Sequence, residues 1–174
     1  MTDIWFTSDT HFGHSNVIKF CNRPFDSAKQ MDEALIASWN ARVKPNDTVW
    51  HLGDFGFYKT YDELNAVFSQ LNGNKYLIAG NHDYGNTKRL FWEKVSTLEE
   101  LMFGKQTLVL FHYPMTAWHR SYQGSYHLHG HTHGGLDGTD QSLDVGVDCW
   151  NYTPVNYEEI KCRLKTLPKR AKDI

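Results

Sequence analysis

Cysteine is scarce and scattered. Cys21, Cys149 and Cys162 are odd in number and form no Cys-x-x-Cys pair, which excludes a disulfide framework and a zinc knuckle and predicts reduced thiols in a cytoplasmic protein. Charge of one sign is lacking as well: a net charge of -2 and a pI near 6.5 leave no extended basic surface for gripping duplex nucleic acid. No apolar run is long enough to cross a bilayer, and residues 1–6 carry neither the basic region nor the apolar core of a secretory signal. The expectation is a soluble, unexported chain without a membrane partner. Internal repeats, low-complexity stretches and linkers are also missing, so 174 residues at 40% hydrophobic predict one domain over 1–174 with a real core.

Histidine is abundant. Six of the ten copies lie between His112 and His133, a crowding that points to metal ligation. The hydrophobic pattern says where these residues sit. Residues 4–7 read as a buried strand that runs into the polar loop 8–14. Ser27 opens a helix with Met31, Leu35 and Trp39 at four-residue spacing, which stops before Pro45. Residues 48–52 form a second strand, ending in Gly53-Asp54, where the glycine lets the backbone turn tightly beneath the carboxylate. Thr60 and Glu63 make a capping box for a helix with Leu64, Val67, Phe68 and Leu71, closed by Gly73. Residues 75–79 are a third strand, delivering the turn Gly80-Asn81-His82-Asp83. This alternation favours parallel pairing with right-handed crossovers.

Beyond Asp83 the pattern changes. Residues 98–103 and 107–111 resemble two strands around a tight turn at Gly104-Lys105, so the second half is expected to be more antiparallel. Further strands end at His112, at Gly130-His131 and at Asp148. Asn156 and Glu159 form another capping box, opening a last helix to about residue 167 ahead of the basic tail 169–172.

In sheet proteins separate loops converge beyond the carboxyl ends of strands. Five expected strand ends carry metal-binding groups: Asp9 with His11, then Asp54, Asn81, His112, and His131 with His133. Each alone occurs by chance, whereas their ordered co-occurrence is informative. His51, His127 and His129 lie inside expected strands and read as packed or supporting imidazoles.

Together, Asp9-Thr10-His11, Gly53-Asp54, Gly80-Asn81-His82-Asp83, His112 and Gly130-His131-Thr132-His133 resemble the complete motif series of the calcineurin-like metallophosphoesterases, in particular small single-domain members. The resemblance runs from Asp9 to His133. It implies an α/β fold, a four-layer α-β-β-α sandwich of two mixed sheets with helices outside. It also implies two divalent metal ions: one held by Asp9, His11, Asp54 and His133, the other by Asp54, Asn81, His112 and His131, with Asp54 bridging.

The chemistry of these groups agrees. Mixed imidazole and carboxylate ligands suit the transition metals Mn, Fe, Zn, Co or Ni better than Ca or Mg. Two such ions about 3.5 to 4 Å apart can share a water, lower its pKa and clamp a phosphate for in-line displacement. His82 is adjacent to a ligand without being needed as one, so it is the candidate general acid, with Asp83 orienting its ring and favouring imidazolium. His14, Arg23 and Arg120 are candidate contacts to substrate phosphate, and Tyr113, Trp118, His119 and Tyr122 candidate lining of the mouth.

The expected function is hydrolysis of phosphodiester bonds, including nucleotide or cyclic-nucleotide ones, by in-line attack of a metal-bridging hydroxide. The expected partner is a small phosphoester and not an extended duplex. Two alternatives stay open: a phosphatase acting on small nucleotides or phosphoproteins, and a catalytically silent interaction module. Oligomeric state is left open.

Overall fold

The computed structural model describes residues 2–171, so Met1 and Lys172 of the basic tail lie outside the described residues. In chain order its elements are β1 (Ile4–Thr7), α1 (Ser15–Phe20), α2 (Ala28–Arg42), β2 (Thr48–His51), α3 (Tyr61–Phe68), β3 (Asn74–Ile78), α4 (Gly85–Lys88) and β4 (Lys94–Ser96). There follow β5 (Leu98–Phe103), β6 (Gln106–Phe111), β7 (Tyr126–His129), β8 (Ser142–Asp144), β9 (Val155–Asn156) and α5 (Tyr157–Leu164). Two mixed sheets result: β4-β3-β2-β1-β9, with β9 antiparallel to four parallel strands, and β5-β6-β7-β8.

The sheets pack face to face. Phe6, Trp50 and Ile78 of the first meet Leu108, Leu110, Leu128 and Leu143 of the second in one buried core, which Ile160 and Leu164 of α5 close. Successive strand residues point to opposite faces, so Trp5 and Val49, paired in register, look the other way. There they join Met31, Leu35 and Trp39 of α2 and Leu64, Val67 and Phe68 of α3 in a second core. The first sheet is therefore buried on both faces, which explains the near-continuous apolar runs of β1 and β2. On the outer face of the second sheet the covering layer is thin: the 113–125 loop, with a 3-10 turn at Ser121–Gln123 and Trp118 against His127, ring centroids 5.2 Å apart.

The helix signals act where the pattern put them. Ser27 caps α2 by accepting from the Gln30 amide, and both capping boxes form, Thr60 with Glu63 and Asn156 with Glu159. The second half corrects an expectation. Within the second sheet β5 and β6 form an antiparallel pair, while β6, β7 and β8 are parallel. The connections 112–125 and 130–141 are each long enough for a crossover, which needs about a dozen residues and not a two-residue hairpin turn. The parallel arrangement brings residues 112, 130 and 145, which follow β6, β7 and β8, to one edge. No helix among the described residues is long and apolar enough to cross a membrane.

Candidate metal centre

Five strands contribute to one cluster. Asp9 and His11 follow β1, Asp54 follows β2, Asn81 follows β3, His112 follows β6, and His131 and His133 follow β7. Short links hold these loops together: the Asp9 amide donates to the Gly53 carbonyl (2.9 Å), the His11 amide to the Asp54 carbonyl (3.1 Å) and the His131 amide to Asp9 Oδ2 (2.9 Å). From β8, Asp144 accepts from the Thr132 hydroxyl (2.6 Å), the Gly134 amide (3.2 Å) and the Gly146 amide (2.7 Å), fixing the loop that carries both histidines.

The donor atoms fall into two groups. In the first, Asp9 Oδ1 and His11 Nε2 are buried with no hydrogen-bond partner. They lie 3.9 Å apart, with Asp54 Oδ2 3.8 Å from His11 Nε2 and His133 Nε2 3.9 Å from Asp9 Oδ1. Such gaps are too long for hydrogen bonds, yet they suit two ligands that each sit about 2.1 Å from a common cation. The second group comprises Asp54, His112 and His131, whose ligand atoms all lie within 4.8 Å of one another. His112 Nδ1 donates to the Leu52 carbonyl (2.7 Å), so its Nε2 carries the bare lone pair. That nitrogen faces Asn81 Oδ1 at 3.0 Å and Asp54 Oδ2 at 3.6 Å. Acceptors placed against one another in this way call for a positive charge between them. Asp54 Oδ2 therefore stands between the two groups, 3.8 Å from His11 Nε2 and 3.6 Å from His112 Nε2.

Electrostatics point the same way. Burial, helped by Asp144 and Asp54 and opposed by His133, pushes the Asp9 carboxyl up to about 8. Burial, with the neighbouring His133 and Arg23 charges, holds His11 far below the usual imidazole range. A buried carboxyl that would keep its proton and an imidazole that stays neutral are a site short of a cation.

One residue supporting this site was missing from the sequence-based assignment. Asp148, in the turn after β8, accepts from His133 Nδ1 at 2.7 Å and so turns Nε2 towards Asp9. Burial pulls His133 down, but the bond to Asp148 and the Asp9 carboxylate outweigh it, and the imidazole titrates above its ordinary value. The strand-end position of Asp148 was the available signal.

Three expectations are corrected. Asp83 does not orient His82: its buried carboxylate accepts from the amides of Asp54 (2.8 Å), Phe55 (3.0 Å) and Gly80 (2.8 Å). It ties the loop after β3 to the loop after β2, because three inward-facing amides need an acceptor. Arg23 has no exposed side chain to offer a substrate. Its buried guanidinium donates to both oxygens of Asp148 (2.8 and 2.7 Å) and to the carbonyls of Thr10 (3.0 Å) and Asp9 (2.7 Å), all its capacity being spent inside. Arg120 stands at the wrong end of the second sheet. Its Nε donates to Gln123 (2.8 Å), and the neighbouring Gly124 carbonyl is held by Gln106 at the start of β6, about 20 Å of strand away from His112.

His14 does border the cluster, with Nδ1 3.2 Å from His11 Nδ1. The His82 amide donates to Asp54 Oδ1 (2.9 Å), and the His82 ring packs against Phe57, centroids 4.7 Å apart, with no hydrogen bond to it among the described residues. Phe57 also stacks on His14 at 3.8 Å. Of the expected mouth aromatics, Tyr113 borders His131 at 4.8 Å, whereas Trp118 is buried on the sheet and His119 pairs with Glu100. His51, His127 and His129 are buried in strands, as expected.

Comparison with known proteins places this arrangement. A solved structure of a protein of unknown function from Aquifex aeolicus shares the fold, with a TM-score of 0.75 at 21% identity over 94% of this chain and 100% of that one. An uncharacterized protein of Methanocaldococcus jannaschii is 33% identical over 168 residues, 92% of this chain and 90% of its own length. The gene 66 protein of Mycobacterium phage L5 is 29% identical over 184 residues, 86% of this chain and 88% of its own. The family model of the calcineurin-like phosphoesterase superfamily domain matches residues 3–145. The chain belongs to the calcineurin-like phosphoesterase superfamily.

Proposed function

We propose that the protein hydrolyses small phosphodiesters at a centre of two divalent transition-metal ions. The observation that carries the reading is Asp54 Oδ2, which stands 3.8 Å from the unpartnered His11 Nε2 of one donor group and 3.6 Å from His112 Nε2 of the other. Asp9, His11, Asp54 and His133 would hold one ion and Asp54, Asn81, His112 and His131 the other. Bound there, such ions supply an acidified water and positive charge for a phosphoryl group.

The chain's own residues do the rest. His82, its ring 5.9 Å from that of His11 and packed at a tilt against Phe57, donates a proton to the leaving oxygen. His14 lies on the same rim, placed to donate to a phosphoryl oxygen. Asp83 keeps the Gly80–Asp83 turn against Asp54, and Arg23 with Asp148 keeps His133 in one tautomer.

A diester is favoured over a monoester because a dianionic phosphate asks for a guanidinium clamp, and both candidate arginines are engaged elsewhere. Brief insertions around the site leave it open. The phosphatase reading is separated by rates: with added Mn, bis(p-nitrophenyl) phosphate should be cleaved faster than p-nitrophenyl phosphate, and the reverse order would replace the proposal. A metal-free interaction module is disfavoured because every ligand position is filled, and metal analysis of the purified protein tests it directly.

A further inference from the structure

We propose that the cavity into which His82 opens is the leaving-group subsite and that it takes a planar group of about nucleoside size. This rests on His82 as the proton donor. In an in-line displacement the leaving oxygen departs opposite the nucleophile, and the acid must lie within hydrogen-bond reach of it. The space beside His82 and away from the metal ligands therefore belongs to the departing group.

That space is a cavity of about 450 Å³ between the 56–59 loop and the 84–87 segment, within the range of small-molecule sites. Its lining includes the buried side chains of Leu64 and Thr87, so it has depth. One wall is pre-organised: the Tyr58 hydroxyl donates to Asp32 Oδ2 at 2.6 Å, and the buried Asp32 carboxylate also takes the Gly13 amide, which carries the His14 loop. A wall that does not move on binding costs little ordering entropy.

The chemistry of the rim names the class of ligand. Tyr84 leaves 70% of its surface exposed and has no ring partner among the described residues, so its face is open for stacking. Asn86 Nδ2 donates to the Lys59 carbonyl at 3.1 Å, tying the two sides of the cavity together and leaving the amide oxygen as an acceptor. Lys59 lines the same cavity and supplies a cationic side chain there. An aromatic face with one acceptor and one cationic donor fits the face and edge of a heterocyclic base, and a bare sugar or alkyl group uses neither.

The test is a titration of the Zn-loaded full chain with uridine, adenosine and ribose, followed by amide NMR shifts. Both nucleosides should shift amides at 56–59 and 84–87 and saturate, while ribose should not. Tyr84→Ala should weaken nucleoside binding by about 5-fold or more, and Asn86→Ala should weaken it less. Equal response to ribose, shifts confined to other loops, or unchanged binding in Tyr84→Ala would overturn the proposal. Hydrolysis of bis(p-nitrophenyl) phosphate is measured alongside. Activity without nucleoside shifts defeats the subsite alone, and no activity under any added metal defeats the phosphoesterase reading whatever the shifts do.

Discussion

At Asp9, His11, Asp54, His131 and His133 the backbone lies at positive φ, between 49° and 70°. Such conformations cost of order 1 kcal/mol or more per residue outside glycine, and they persist where the surroundings over-determine them. Here the turn after each strand must aim a side chain back at one point. The glycines beside them allow the close approach: a Cβ on Gly53, at φ 100°, would meet His112 Nδ1 at 2.5 Å, and one on Gly80 would strike Asp54 and His112. Residue types and their order were legible in the sequence, but these backbone conformations were not, since nothing in Asp-Thr-His announces a left-handed turn. The same gap misassigned Asp83, whose neighbour in sequence, His82, is not its partner in space. Two substitutions separate the roles. Asp83→Ala should lower thermal stability by several kcal/mol, since the buried amides of Asp54 and Phe55 and the half-buried amide of Gly80 lose their acceptor at about 1–3 kcal/mol each. His82→Ala should melt close to wild type and lose about 10²-fold or more on diesters with poor leaving groups, with a much smaller loss on p-nitrophenyl esters. A His82→Ala variant equally impaired on both substrates would remove the proton-donor role.

Strands and helices carry this geometry in unequal ways. The amphipathic spacing of α2 and α3 and both capping boxes are local facts, and local chemistry was enough to read them. Pairing of β7 with β6 and β8 is not local: each strand is short, and the choice between antiparallel and parallel is made by the length and path of the connections. The brief elements β4, β9, α1 and α4 carry too few periodic positions to register. One of them matters to the site, because α1 is followed by Arg23, whose fork reaches Asp148 and through it His133. Asp148 titrates below its ordinary value: burial opposes this, and the bonds from His133 and Arg23 prevail. The carboxylate that fixes a ligand histidine is worth about 10- to 100-fold in metal affinity. Asp148→Asn should therefore weaken binding of one ion by that factor while the other is retained, as read by competition with a chelator. Loss of both ions together would mean that the two donor groups do not act separately.

Across the whole molecule, stability and metal binding both depend on buried titrating groups, and Asp9 is common to the two. Burial depresses His51 to about 3 and His127 to about 4, and lowers His129 as well. Unfolded imidazoles titrate near 6.5. Between pH 6.5 and about 3 the unfolded state therefore binds more protons, so the stability held above pH 6.5 is lost as the pH falls through this window. Asp9 acts in the opposite direction in the metal-free protein. Its folded value of about 8 lies above the unfolded 3.8, so its stabilising protonated state is complete below 3.8 and is lost as pH rises towards 8. A cation removes that second penalty, since it replaces the proton, and its affinity must rise with pH because Asp9 has to release that proton first. The difference in melting temperature between Mn-loaded and EDTA-treated protein should therefore widen from pH 6 to pH 8, at fixed metal excess. Binding at pH 7 should acidify a weakly buffered solution. A melting difference that is flat or shrinks over that range, with no proton release, would show that Asp9 is already ionised and that the buried carboxyl is not where the cation binds.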